Sequence, residues 1–345
     1  METRRAGRAD HGRRGRRVVP GTTPVKPRGP RRQHGGQDVQ VPPADFRSYY
    51  GRPILKPPVW RHDIPAYLFT GGLAAGSALL AAGADLTGRP ATRRTARAVT
   101  LAAVGAGTYF LINDLGRPQR FHHMLRVAKP TSPMSVGTWI LTAFGGAAGL
   151  AAVTETAPHR RSGRFSRLGR VARAAGRAAG VGAAVLAPGL ATYTAVLIAD
   201  TAAPSWHQAY PDLPFAFAGS ALASGAAVGL IGAPVRESGP ARGMAVAGVA
   251  LDLAATHRIE TAHGLLSEPY RTGRAGRLLR AARALNVAGA AGALLGRRSR
   301  VVSALSGAAL LAGSLATRFG VFEAGVESTK DPRYVVEPQK RRARP

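Results

Sequence analysis

Eight stretches of roughly 20 residues, apolar on every side and almost empty of charge, leave this 345-residue chain few folds to choose from. A hydrocarbon core about 30 Å thick needs about that many helical residues to cross it. A helix without a polar face suits lipid or the middle of a bundle, not water. The stretches cover residues 64–86, 96–115, 134–154, 180–199, 213–233, 242–262, 278–296 and 301–322. The second, sixth and seventh carry charged or polar residues and give the weaker signal. The expected fold is an all-α polytopic membrane protein with eight transmembrane helices.

The bulk composition points elsewhere until it is mapped. A net charge of +30 suggests a nucleic-acid binder, and a mean hydropathy of −0.04 suggests a soluble chain. The arginines, however, come in bursts between the apolar stretches: 89–97, 117–129, 160–177 and 271–283. The hydropathy is low because polar ends are averaged with helices built from Ala and Gly. Residues 1–45 are rich in Gly, Pro and Arg and are expected to form a disordered basic tail. Its arginine pairs (Arg4-Arg5, Arg13-Arg14, Arg16-Arg17) are followed by no apolar run, so no cleaved signal peptide is expected. Its charge fits anionic lipid, and a nucleic-acid role rests on charge alone and is set aside. Residues 46–63 form an extended pre-membrane segment, 64–200 and 201–322 the two helical halves, and 323–345 a second basic tail. Loop Lys and Arg balance across the two faces, so the positive-inside rule gives no orientation. Zero cysteine excludes disulfides, thiol nucleophiles, zinc-thiolate sites and cysteine-held iron–sulfur clusters in this chain. The glycines at 71, 72, 76 and at 145, 146, 149 are expected where helix backbones approach closely.

Up-down topology puts three polar groupings at one membrane face: Trp60-Arg61-His62-Asp63-Ile64-Pro65-Ala66-Tyr67, Asn113-Asp114-Leu115-Gly116-Arg117-Pro118, and Tyr193 to Asp200 followed by Trp206-His207. Each has a plain structural reading. Asp114 and Arg117 are spaced for a local ion pair, Asp63 sits where a helix N-terminus favours an acid, and His62 and Tyr67 fit interfacial anchors. Together they also offer what a membrane-embedded quinone needs: an apolar slot, hydrogen-bond donors for its carbonyls and a proton-exchanging group near water. Another small amphiphile or an ion would suit the same residues. Further intramembrane polar groups are Asp85, Glu155, Asp252, His257, Arg258 and Glu260, of which His257 and Glu260 are spaced to pair. A haem needs facing axial ligands, and His257 has no counterpart at matching depth, so no haem is expected. No cluster of Glu-x-x-His type points to a metal. A non-redox transporter or a purely structural anchor is the competing reading. Pro188-Gly189 would interrupt a helix as transporters do, but the second half has no equivalent.

The strings Tyr50-Gly51-Arg52-Pro53, WRHDIPAYLFTGGLAAG from Trp60 to Gly76, DLGRPQRF from Asp114 and KPTSPMSVG from Lys129 resemble the NrfD/polysulfide-reductase membrane-subunit family (PsrC-like). The segments ATYTAVL from Ala191 and EPYRTGR from Glu268 fit it too, over residues 49 to 322 in all. The resemblance implies two four-helix bundles and no bound redox metal. It also implies docking onto a ferredoxin-like iron–sulfur subunit, which contacts a molybdopterin catalytic subunit. Quinone exchange is then expected in the first bundle, with Tyr193 bonding the headgroup and His62 and Asp63 near the opposite carbonyl. Tyr67, Asp114, Arg117 and Gly71 complete the expected lining, and Ala195 stands where the family pattern has a glycine. The chain would be the quinone-reactive subunit of an oxidoreductase complex in the cytoplasmic (inner) membrane, not an enzyme alone. Composition favours menaquinone. Formate dehydrogenase-like and thiosulfate or polysulfide reductase-like complexes are equally compatible, because the terminal substrate is handled by another chain.

Overall fold

The computed structural model describes residues 53–156 and 164–342. The basic tail of residues 1–45 and the disorder expected of it lie outside the described residues. Among the described residues eleven α-helices follow one another: α1 (Asp63–Leu86), α2 (Pro90–Asp114), α3 (Pro133–Val153), α4 (Arg164–Ala199), α5 (Pro204–Gln208), α6 (Leu213–Gly232), α7 (Gly239–Ala262), α8 (Glu268–Arg271), α9 (Gly273–Leu295), α10 (Arg300–Lys330) and α11 (Arg333–Arg342). No strand occurs among the described residues.

The helix ends are written locally. Proline opens α2 and α3, where its missing N–H costs nothing. Gly88 (φ 67°) and Gly116 (φ 66°) turn the chain out of α1 and α2 in a conformation that L side chains resist. Ser299 caps α10 by accepting from Val302 N–H at 3.3 Å. Pro188 lies inside α4, which runs on through it, so the expected break at Pro188-Gly189 does not form. α10 also continues eight residues past the expected end at 322.

Among the described residues seven helices, α1 to α4, α6, α9 and α10, are long and apolar enough to cross a membrane. The protein is an all-α, multi-pass membrane protein. α7 has 24 residues but carries Arg242, Asp252, His257, Arg258 and Glu260, and falls short of the apolarity of the other seven. It nevertheless pairs with α6 as a full-length hairpin. At one end Asp212 bonds Arg258 (2.8 Å) and His263 (3.2 Å). At the other, Glu237 accepts from the N–H groups of Ala91 and Thr92 at the start of α2 (2.9 and 3.1 Å). His257 and Glu260 do not pair with each other; Glu260 reaches across to Arg283 on α9.

α1 and α6 are buried along most of their length and form the centre, while α2, α3 and α9 present large apolar side chains such as Tyr109, Trp139 and Leu150 outward. The central contact depends on small residues. A Cβ added to Gly76 would collide with the backbone of Ala221, and one on Gly225 with the backbone of Gly76. Gly72 makes room for the buried guanidinium of Arg318, which lies 3.9 Å over the Phe217 ring and donates to the Phe217 carbonyl at 2.7 Å. Gly71, Gly146 and Gly149, expected at close approaches, are not: a Cβ at any of them meets nothing within 4 Å. They lie one or more residues around the helix from the contacting face.

Candidate functional site

The N-terminal end of α1, the C-terminal end of α2, the start of α3 and the last turns of α4 meet at one membrane face. Between them lies a cleft of about 280 Å³. Its wall is apolar (Ile64, Leu68, Leu111, Leu197), and its polar groups are Tyr67, Asp114, Thr138 and Tyr193. The mouth is framed by Trp60 and by Met124, the latter carried on a 3-10 turn over Pro118–Leu125.

Each tyrosine is held by its ring. Tyr193, from α4, packs the Cδ2–Cε2 side of its ring against Gly137 of α3, where any Cβ would overlap the ring. Tyr67, from α1, is backed by Gly107 of α2, at which a Cβ would sit 3.0 Å from Thr70 Oγ1 and 3.6 Å from the tyrosine ring. Both rings are buried, and neither hydroxyl has a hydrogen-bond partner among the described residues, nor is either sealed from the cleft. Two fixed phenols with free O–H groups in an apolar cleft are ready donors to a ligand carbonyl.

The other predicted residues fall outside this wall. Asp63 is buried beside the cleft, where it accepts from Asn113 Nδ2 at 3.1 Å. Asp63 and Arg61 are the charged neighbours of Asp114. His62 is exposed, with Nε2 3.8 Å from Asp63 Oδ1. Arg117 is exposed and pairs with no carboxylate among the described residues, so the expected Asp114–Arg117 ion pair does not form; Gly116 turns the chain away between them. Gly71 is buried in α1 without touching the cleft. The sequence reading missed Gly137, Thr138 and Gly107. The first two stand within or beside the KPTSPMSVG string, and only the fold places Gly137 against Tyr193 and Thr138 on the cleft wall.

The second half of the chain braces the mouth. Trp60 lies 6.2 Å from Trp206, and Trp206 lies 5.5 Å from Phe322. Trp206 donates from Nε1 to the Val321 carbonyl (2.7 Å) and occupies space that only glycine leaves open at Gly325. Tyr270 on α8 donates to the Ser205 carbonyl at 3.1 Å. Burial pushes its phenol far above the ordinary tyrosine range, so it stays a donor. A second groove of about 220 Å³ adjoins the cleft between α2 and α3, sharing Leu111, Met124 and Thr138 with it and continuing past Leu141 and Gly145.

No curated protein matches the chain. A family profile described as "Polysulphide reductase, NrfD" matches residues 54–238, from the segment before α1 to the start of α7. That stretch contains all four helices of the cleft and more than half of the chain, and the protein therefore belongs to the NrfD family, whose members are membrane subunits of polysulphide-reductase-like complexes.

Proposed function

We propose that the protein is the quinone-exchanging membrane subunit of an oxidoreductase complex. The observation that carries this reading is the pair of unpartnered phenols, Tyr67 and Tyr193, fixed in an apolar cleft at one membrane face. A quinone ring fits such a slot, with a carbonyl accepting from Tyr193. The groove between α2 and α3 would take the apolar tail toward lipid. Quinone reduction takes up two electrons and two protons. The electrons would come from an iron–sulfur subunit docked on this face, and beyond it from a molybdopterin subunit. The protons would pass from His62 in water to Asp63, buried behind it, and on to Asp114 at the cleft. Quinol oxidation would use the same groups in reverse.

The finer readings belong to the same proposal: menaquinone as the quinone, the cytoplasmic (inner) membrane as the location, and α7 as an eighth span. The ties of Asp212 to Arg258 and His263 support the last, because they hold the start of α6 level with the end of α7. Spans α1 to α4 and α6, α7, α9, α10 would then make two groups of four. The continuous α4 removes the one broken helix that favoured a transporter.

Tyr193→Phe tests the function. It removes one donor and keeps the ring on Gly137, so quinone-linked turnover should fall about tenfold or more, with membrane insertion and subunit assembly unchanged. Turnover equal to wild type would exclude Tyr193 as the headgroup donor.

A further inference from the structure

At the opposite end of α1 to α4 lies a second cleft, of about 430 Å³ and quite different chemistry. Five arginines line it (Arg93, Arg97, Arg170, Arg173 and Arg177) against two carboxylates, Asp85 and Glu155. We infer that this cleft binds a phosphate group, supplied by an anionic lipid headgroup at the membrane surface.

The two carboxylates are already engaged. Arg93 spans them, 2.8 Å from Asp85 Oδ1 and 2.7 Å from Glu155 Oε1. Arg97 adds a 2.8 Å contact to Glu155, and Arg177 a 3.2 Å contact to Asp85. Arg170 and Arg173 pair with no carboxylate among the described residues, and the Arg173 Nε donates only to a carbonyl of its own helix, Gly169 (3.1 Å). Three positive charges are therefore in excess.

The cleft is also built, not merely charged. Arg97 is nine-tenths buried, donates to the carbonyls of Ala151 and Gly176 (3.3 and 3.1 Å), and leaves its Nε without a partner. Glycine at 180 is what admits it, since a Cβ there would lie 2.8 Å from the guanidinium. Burying a guanidinium is costly, and here α2 and α4 are shaped to do so beneath the cleft floor.

Depth selects the source. α4 has 36 residues, and at 1.5 Å per residue it outruns a 30 Å hydrocarbon core by about 24 Å. Its first turns, which carry Arg170, Arg173 and Arg177, thus stand at headgroup level. Basic pockets between helices at this level are suited to phosphate headgroups, which guanidinium groups bind through paired, charge-assisted hydrogen bonds.

The test uses the full chain in mild detergent. Native mass spectrometry would measure retention of phosphatidylglycerol against phosphatidylcholine, and thermal unfolding would be followed with inorganic phosphate in a separate arm. Wild type should retain about one phosphatidylglycerol per chain in preference to phosphatidylcholine. R170Q/R173Q, which changes two exposed side chains without acid partners, should weaken that retention roughly thirtyfold. Stabilisation by inorganic phosphate, lost in the variant, with no preference between lipids, would keep the phosphate site but assign it to free phosphate. Equal retention of both lipids with no phosphate effect, or retention unchanged in the variant, would overturn the inference. Arg173→Gln alone makes the same comparison if the double variant aggregates.

Discussion

In the proposed quinone site, the role of Tyr193 rests on what its side chain is denied. Its hydroxyl has no hydrogen-bond partner among the described residues, so in the proposed site a quinone carbonyl would satisfy it instead of competing for it. Its ring is fixed because position 137 carries no side chain. Gly137→Ala should consequently act like a site mutation at a distance from the phenol. The added methyl must displace the ring, at about 1–3 kcal/mol of overpacking, and quinone affinity should drop in a binding titration while the protein still reaches the membrane. Unchanged affinity would mean the ring position is not set by α3. Asp63 and His62 differ from the tyrosines in kind: one is buried behind the cleft and the other is exposed, an arrangement suited to passing protons, not to touching the ring.

At the level of helices, glycine content overstates glycine function. Gly76 and Gly225 meet backbone to backbone across α1 and α6, whereas a Cβ on the buried Gly71 would meet nothing within 4 Å. Gly76→Val should prevent the central pair from closing, with aggregated protein on size-exclusion chromatography. Gly71→Ala should be tolerated and stabilise α1 by about 0.5–1 kcal/mol, because alanine loses less backbone entropy; a rise in melting temperature in detergent would show it. Glu237 is the comparable case for charge. It caps the start of α2 from the α6–α7 connection with two hydrogen bonds, so Glu237→Ala should cost about 1–2 kcal/mol, read as a lowered melting temperature with quinone-linked turnover unchanged.

For the whole molecule, the open question of topology has a direct measurement, because the chain contains no cysteine to remove. Single cysteines placed at the exposed positions 236 and 262, at the two ends of α7, should label from opposite sides of intact membrane vesicles if α7 crosses. Labelling from the same side would leave seven spans and place α7 against the membrane surface. The larger apolar core supports treating the two halves as one structure, since it runs from Ile64 and Tyr67 through Trp206 and Phe217 to Phe322 without interruption. The Trp60–Trp206–Phe322 contacts carry that continuity up to the mouth of the site.

The sequence by itself determined the class and seven of the eight expected spans, all but α7. Hydrophobic length is a local quantity, so stretches such as 64–86 and 213–233 are recognisable without any partner, and alternation of direction then puts Trp60, Asp114 and Tyr193 together. Prolines and glycines at the helix ends are equally local. What only the tertiary structure decided is which side chains meet: Tyr193 over Gly137, Arg61 and not Arg117 beside Asp114, Arg318 in the gap at Gly72, and Arg97 in the gap at Gly180. Those contacts depend on the rotation of each helix about its axis. In helices apolar on every face, that rotation leaves no mark in the hydrophobic pattern; it is set by where small residues allow backbones to touch.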